Sequence, residues 1–358
     1  MIKFIKRKLT NIKRNNLTTI SVLVLLLFFS GCGNASKGNS QESSSKEYIT
    51  RSDFLLNTQI TINLYDKQDK DVLDGCFQLI SKYENIYSRT LESSELYSLN
   101  NGTVSHVGQT YQISDELSDL LTHGLYYSKL SGGAFDISIE PLTSLWDFTA
   151  SNPTLPSDND IWKAIPLVDY KNIRLNKNEV TFLKDGIGID LGAIAKGYIA
   201  DRLKDYLLAA GVKSALINLG GNVLCVGEKP DGSPFHVGIQ KPFADRNEIV
   251  GVMDIDNLSV VSSGIYERCF TIDGVLYHHI LNPKSGYPYD NNLVSVTIIS
   301  KLSVDGDGLS TTCFALGLDK GLELIESIPD TYAIFITSEY EIHYSKGFLD
   351  TFHFTPQK

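Results

Sequence analysis

Seven short β-rich runs crowd into residues 214–300: the two arms of "SALINLGGNVLCVG", then "HVGIQKP", "GVMDID", "LSVVSSG", "CFTIDGVLYHHI" and "LVSVTIIS". The connections between them are loops of at most twelve residues with no helical periodicity. Parallel strands need a crossover of a dozen or more residues, usually a helix. This half of the chain is therefore restricted to antiparallel pairing. Helical periodicity lies outside it, in "KDVLDGCFQLISKYENIYS" (70–88), "ISDELSDLLTHGLYYSKLSGG" (113–133), a segment starting at Ile194, and "GDGLSTTCFALGLDKGLELIESI" (306–328). Gly317 divides the last of these. A single strand is expected over 54–66, paired strands over 180–192, a loop over 151–160 and a closing hairpin over 331–345. The predicted class is α+β, with mixed, largely antiparallel sheets packed against long helices. Neither G-x-G-x-x-G nor G-x-x-x-x-G-K-[ST] occurs, so a dinucleotide fold or a P-loop is not indicated.

The first 31 residues are set apart by composition. They carry Lys3, Lys6, Arg7, Lys8, Lys13 and Arg14, no acid, and the apolar run "ISVLVLLLFF". Small residues Ser30 and Gly31 stand directly before Cys32. This pattern predicts an export signal over 1–31 with a lipoprotein-type cleavage site at Cys32, which becomes the lipid-bearing N-terminus. Residues 32–50, with "GNASKGNSQESSSKE", read as a flexible tether, and 51–350 as the catalytic domain. The expected location is the extracytoplasmic face of the cell membrane.

Beyond residue 31 the chain has 26 basic against 42 acidic residues, a net charge of −16. That disfavours nucleic acid as a partner. It also means that a polyphosphate ligand needs local compensation from a cation or from backbone N–H groups. Cys76, Cys225, Cys269 and Cys313 are widely spaced and read as buried free thiols.

Four stretches have chemical potential. "DLGAIAKGYIADRL" (190–203) leads through a glycine turn into a helix; it is either a phosphate cradle with Lys196 or a plain helix entry. In "DGDGLSTT" (305–312), Asp307 and Thr311 are four apart and share a helical face, so their oxygens suit one hard cation; the alternative is an N-cap aspartate followed by an ordinary threonine. Asp305 is a candidate for an indirect role there. In "YHHILNPKSGYP" (277–288), strand alternation sends His278 and His279 to opposite faces, so one of them at most serves as acid or base. Glycine pairs 132–133 and 220–221 leave room for a planar ligand against backbone, with Phe135 and Trp146 as stacking or core residues.

Together, "FLLNT", "GGAFDIS…PL", "DLGAIAKGYIAD", "NLGGNV", "SSGIYER", "YHHILNPKSGYP" and "DGDGLSTTCFALG" resemble, in order, the motifs of ApbE-type bacterial flavin transferases over about residues 51–345. The resemblance implies an ApbE-like (T-fold-like) fold and Mg2+-dependent transfer of FMN from FAD to a threonine of a target flavoprotein with a D-G-x-[ST]-G-A-T-like acceptor, releasing AMP. It implies FAD contacts from Leu56, Ala134, Phe135, Asp136, Asp190, Lys196 and Ile280. Metal ligation would come from the Ala193 carbonyl, Asp307 and Thr311, and base catalysis from His279. Many members have methionine at the position of Leu56 and aspartate at that of Asn282. A FAD pyrophosphatase and a flavin-binding lipoprotein without turnover are the competing readings.

Overall fold

The computed structural model describes residues 48–357 apart from 149 and 246. The export signal, Cys32 and most of the tether lie outside the described residues. Among those described, no helix is long and apolar enough to cross a membrane.

The central sheet has eight strands: Ile49–Leu55, Thr58–Leu64, Ala215–Leu219, Asn222–Val226, Ser259–Gly264, Leu293–Ser300, Tyr332–Thr337 and Ile342–Tyr344. They stand side by side in chain order, and every neighbouring pair is antiparallel. The short connections across 214–300 thus have the consequence expected of them. Three smaller antiparallel sheets flank it: one of four strands drawn from 106–112 and 173–182, one of three from 235–255 and Phe354–Pro356, and the hairpin Cys269–Ile272/Val275–His278. The α+β class holds.

Helix Ser303–Leu316 starts at the sheet end where Ser259 pairs with Ser300, and runs back along strands Ser259–Gly264 and Leu293–Ser300. It has no cap of its own. Asp201, from helix Ala195–Ala209, supplies one: its two oxygens accept the N–H groups of Ser303 (2.8 Å) and Val304 (2.9 Å). Burial raises the Asp201 carboxyl to about 6, while these two bonds pull the other way. The two helices cross at Gly197. A Cβ there would lie 2.2 Å from the Ser303 carbonyl oxygen and 2.8 Å from Asp307 Cβ, so only glycine permits this approach. Ile194, Tyr198, Leu203 and Leu207 are all buried, as the helical spacing requires.

Four expectations are corrected. Residues 54–66 do not form one strand: Leu56 and Asn57 both take positive φ (54° and 55°) and fold a hairpin, with Glu84 Oε1 accepting the Leu56 N–H at 2.8 Å. Of residues 180–192, only the first part, in Glu179–Phe182, is a strand, and its hairpin partner is Ile173–Asn176. Ile189 instead has both backbone groups bonded to the Asn100 side chain, each at 2.8 Å, so one amide replaces a neighbouring strand. The 151–160 loop ends early in helix Asp158–Ala164, capped by Ser157. The 306–328 helix begins earlier, at Ser303, while the division expected at Gly317 is found there, with φ of 82°.

Candidate active site

The hairpin turns at 56–57 and 220–221 lie at the same end of the central sheet, since Ile60 pairs with Leu219. Ser263, near the end of its strand, rises beside them because Val261 pairs with Asn222. Helix Ser303–Leu316 brings Thr311 to this rim: Ser263 Oγ lies 3.1 Å from Thr311 Oγ1 and 2.7 Å from Ser310 Oγ.

Asp307 sits one turn back along that helix and is 4% exposed. Because the helix starts four residues earlier, Asp307 is not its N-cap, and the plainer of the two sequence readings is excluded. Its Oδ2 accepts the Gly197 N–H at 2.8 Å. In a continuous helix that N–H goes to the carbonyl four residues back, here Ala193. The bond to Asp307 therefore ties the carboxylate to the Ala193 turn. Burial raises the Asp307 carboxyl pKa, opposed by the nearby charge of Lys196 and by backbone N–H groups. Asp305 Oδ1 accepts the Tyr127 hydroxyl at 2.6 Å.

A buried carboxylate, a hydroxyl one turn on and a peptide carbonyl are all hard oxygen donors, whose chemistry fits a cation such as Mg2+. Among the described residues no group of three His, Cys, Asp or Glu side chains is placed to hold a metal ion.

The two histidines separate as strand alternation demands. His278 is buried, with Nε2–H donating to the Tyr289 carbonyl (3.0 Å) and Nδ1 accepting the Ile280 N–H (3.3 Å). Both nitrogens are in structural use. His279, partly buried, has Nδ1 at 3.3 Å from the Arg268 carbonyl, whose oxygen also accepts the His279 N–H at 3.1 Å. With Nδ1–H donating there, Nε2 is the acceptor. Burial first, then the charges of Arg268 and Lys196, press the His279 pKa down to about 3, so the imidazole is neutral.

Burial likewise holds His278 at about 4, against 6.5 for a free imidazole. The folded state then takes up this proton less readily than the unfolded chain. The resulting stability is complete above pH 6.5 and is lost as pH falls toward 4, about 3 kcal/mol in all. In urea unfolding at fixed pH, His278→Gln should be less stable than wild type at pH 7 and show a flatter decline between pH 6.5 and 4. Parallel declines would show that His278 does not titrate on unfolding.

The remaining predicted residues have the following local partners. Tyr289 donates its hydroxyl to the Ala134 carbonyl (2.9 Å), and so joins the Ala134–Asp136 turn to the segment after Ile280. Phe135 and Ile280 are buried. The Asp136 carboxylate is committed to Ser138 and to the Tyr170 N–H. Asp190 is engaged from three sides, by the Gly192 N–H (2.8 Å), the Thr143 hydroxyl (2.9 Å) and Arg89 Nε (2.9 Å). Leu56 lines the turn that Glu84 fixes. Trp146 is not a stacking platform for a ligand. It lies flat on Phe148 (5.5 Å, 2°) in a secondary core and donates Nε1–H to the Gly286 carbonyl.

The sequence reading passed over Arg89, Ser263 and Asp201. Ser263 and Asp201 stood inside quoted motifs and Arg89 in none. Asp201 and Arg89 meet partners more than a hundred residues away. Cys76, Cys225 and Cys313 are buried free thiols, and Cys269 is a half-buried one.

Known proteins share this arrangement. A FAD:protein FMN transferase of Klebsiella pneumoniae (strain 342) is 38% identical over 301 residues, 84% of this chain and 92% of that one. Another, from Treponema pallidum (strain Nichols), is 31% identical over 351 residues, 92% and 94% of the two chains. The ApbE protein of Thermotoga maritima superposes with a TM-score of 0.77 at 28% identity, covering 87% of this chain and all of that one. The Pseudomonas stutzeri flavinyl transferase ApbE, in its apo form, gives 0.74 at 28%, covering 85% and 96%. The family model matches residues 56–336, from the Leu56 turn through the strand that follows the Asp307 helix. With the fold, the ordered motifs and the full-length relatives in agreement, this chain belongs to the ApbE family.

Proposed function

We propose that the protein transfers the FMN moiety of FAD to a threonine hydroxyl of a partner flavoprotein and releases AMP, with Mg2+ required. One observation carries this reading: the buried Asp307 carboxylate accepts the Gly197 N–H at 2.8 Å, beside Lys196, while Thr311 stands one helical turn on at the rim next to Ser263. Asp307, Thr311 and the Ala193 carbonyl would hold Mg2+, which when bound neutralises charge on phosphoryl oxygens. Lys196 attracts the pyrophosphate. The incoming threonine oxygen attacks the FMN phosphorus, the pyrophosphate P–O bond to AMP breaks, and the hydroxyl proton passes to His279 Nε2. The Arg268 carbonyl holds the ring in the tautomer that leaves this nitrogen free to accept. A bound diphosphate offsets the cations that depress His279 and so makes it a stronger base during the reaction.

The test mixes the soluble domain, FAD, Mg2+ and a flavoprotein carrying a D-G-x-[ST]-G-A-T-like segment, followed by mass spectrometry of that flavoprotein. An FMN adduct on its threonine is expected. FMN and AMP in solution with the flavoprotein unmodified would make the protein a FAD pyrophosphatase.

We further propose that Cys32 carries lipid and tethers the domain to the extracytoplasmic face of the membrane, on the strength of the basic and apolar residues before it. Cys32→Ser should move the protein from the membrane fraction to the soluble one. Equal membrane retention would indicate an uncleaved anchor.

A further inference from the structure

The Asp190 carboxylate has both oxygens in use. Oδ1 holds the Gly192 N–H, and Oδ2 takes both the Thr143 hydroxyl and Arg89 Nε. Its own N–H is bonded to the Ile137 carbonyl at 2.9 Å. Asp190 is thus a fixture of its turn, with little capacity left to bind a ligand itself. Its engagement has another effect: it pins Arg89.

Arg89 is 29% exposed and Asp190 16%. The backbone around the arginine is fixed as well, with Ser88 Oγ accepting the N–H groups of Thr90 (3.3 Å) and Leu91 (3.0 Å). A guanidinium carries five N–H donors in a rigid plane. Nε forms a 2.9 Å ion pair with Asp190 Oδ2, and the terminal amino groups have no hydrogen bond among the described residues. They are held at the turn that leads through Gly192 and Ala193 to Lys196. Lys196 has no carboxylate within ion-pair distance among the described residues. A domain with a net charge of −16 thus gathers two cationic side chains around one short turn.

We propose that Arg89 is a binding residue for the FAD pyrophosphate: Asp190 holds its Nε edge and its terminal amino groups donate to phosphate oxygens. This deepens the transferase reading above and rests on it. A planar fork suits two phosphate oxygens, which a lysine would meet only as a point charge.

The test is binding without turnover, in EDTA, using FAD and ADP as ligands that contain the pyrophosphate and riboflavin as one that lacks it. Arg89→Gln should weaken FAD and ADP by about 10- to 100-fold, as expected for lost hydrogen bonds to a charged group. Riboflavin affinity and melting temperature should stay near wild type. Arg89→Lys, which keeps the charge and an ion pair to Asp190, should recover part of the FAD affinity; it also serves if the glutamine variant does not fold. Unchanged FAD affinity in the substituted protein overturns the proposal. So does an equal loss for FAD and riboflavin, which would make Arg89 a brace for the Asp190 turn. Wild-type protein that binds no FAD even with Mg2+ restored would overturn the transferase reading as well, so the two failures are distinguishable.

Discussion

Asp307→Ala should abolish Mg2+-dependent turnover, by roughly 10³-fold or more, because several kcal/mol of charge stabilisation at the phosphoryl group goes with the ion. It should also remove the Mg2+ dependence of FAD affinity. The alanine variant leaves the Gly197 N–H without its acceptor in a buried place, which costs about 1–3 kcal/mol. Asp307→Asn is the cleaner control: it keeps an oxygen for that N–H and removes only the charge. Titration of FAD into the folded asparagine variant with and without Mg2+ reads out the metal site directly. Wild-type affinity with wild-type Mg2+ dependence would remove Asp307 from it.

His279→Ala should leave FAD affinity nearly intact and slow FMN transfer by roughly 10²–10⁴-fold, the usual range for a lost general base. His278→Ala should do the reverse, lowering stability while each folded molecule stays active, because both of its ring nitrogens hold backbone groups. Transfer rate and FAD affinity measured on both folded variants separate the two. An active His279→Ala beside an inactive His278→Ala would place the base on the other face of the strand.

The antiparallel class, the pairing of Asp307 with Thr311 and the divergence of the two histidines were all legible in the sequence. Each depends on spacing within one element, and local geometry carries that information. Two strand boundaries were misread because the satisfying partner is a side chain far away. Asn100 bonds Ile189 in place of a strand, and Glu84 holds a leucine in a left-handed turn that glycine or asparagine would ordinarily mark. The same holds for the Asp201 cap and the Arg89–Asp190 pair, for which no periodicity exists to be read. Asp190 was expected to contact FAD from the resemblance; its engagement with Arg89, Thr143 and its own turn had no signal in the sequence.

The plain chain order of the central sheet has a consequence for how the protein assembles. Three neighbouring pairs are hairpins with short turns, and three more enclose the segments 227–258, 265–292 and 301–331. The junction of Thr58–Leu64 with Ala215–Leu219 differs, because residues 65–214 must be gathered before it can zip. That excursion supplies Arg89, Asp190 and Lys196, and it is shut at its base by the Tyr65 N–H on the Ser214 carbonyl at 2.9 Å. Closure entropy grows only logarithmically with loop length. The excursion can therefore gain or lose residues at small thermodynamic cost while its two ends stay stitched together. The sheet works as a loom frame, and the pattern woven between its second and third threads is free to vary.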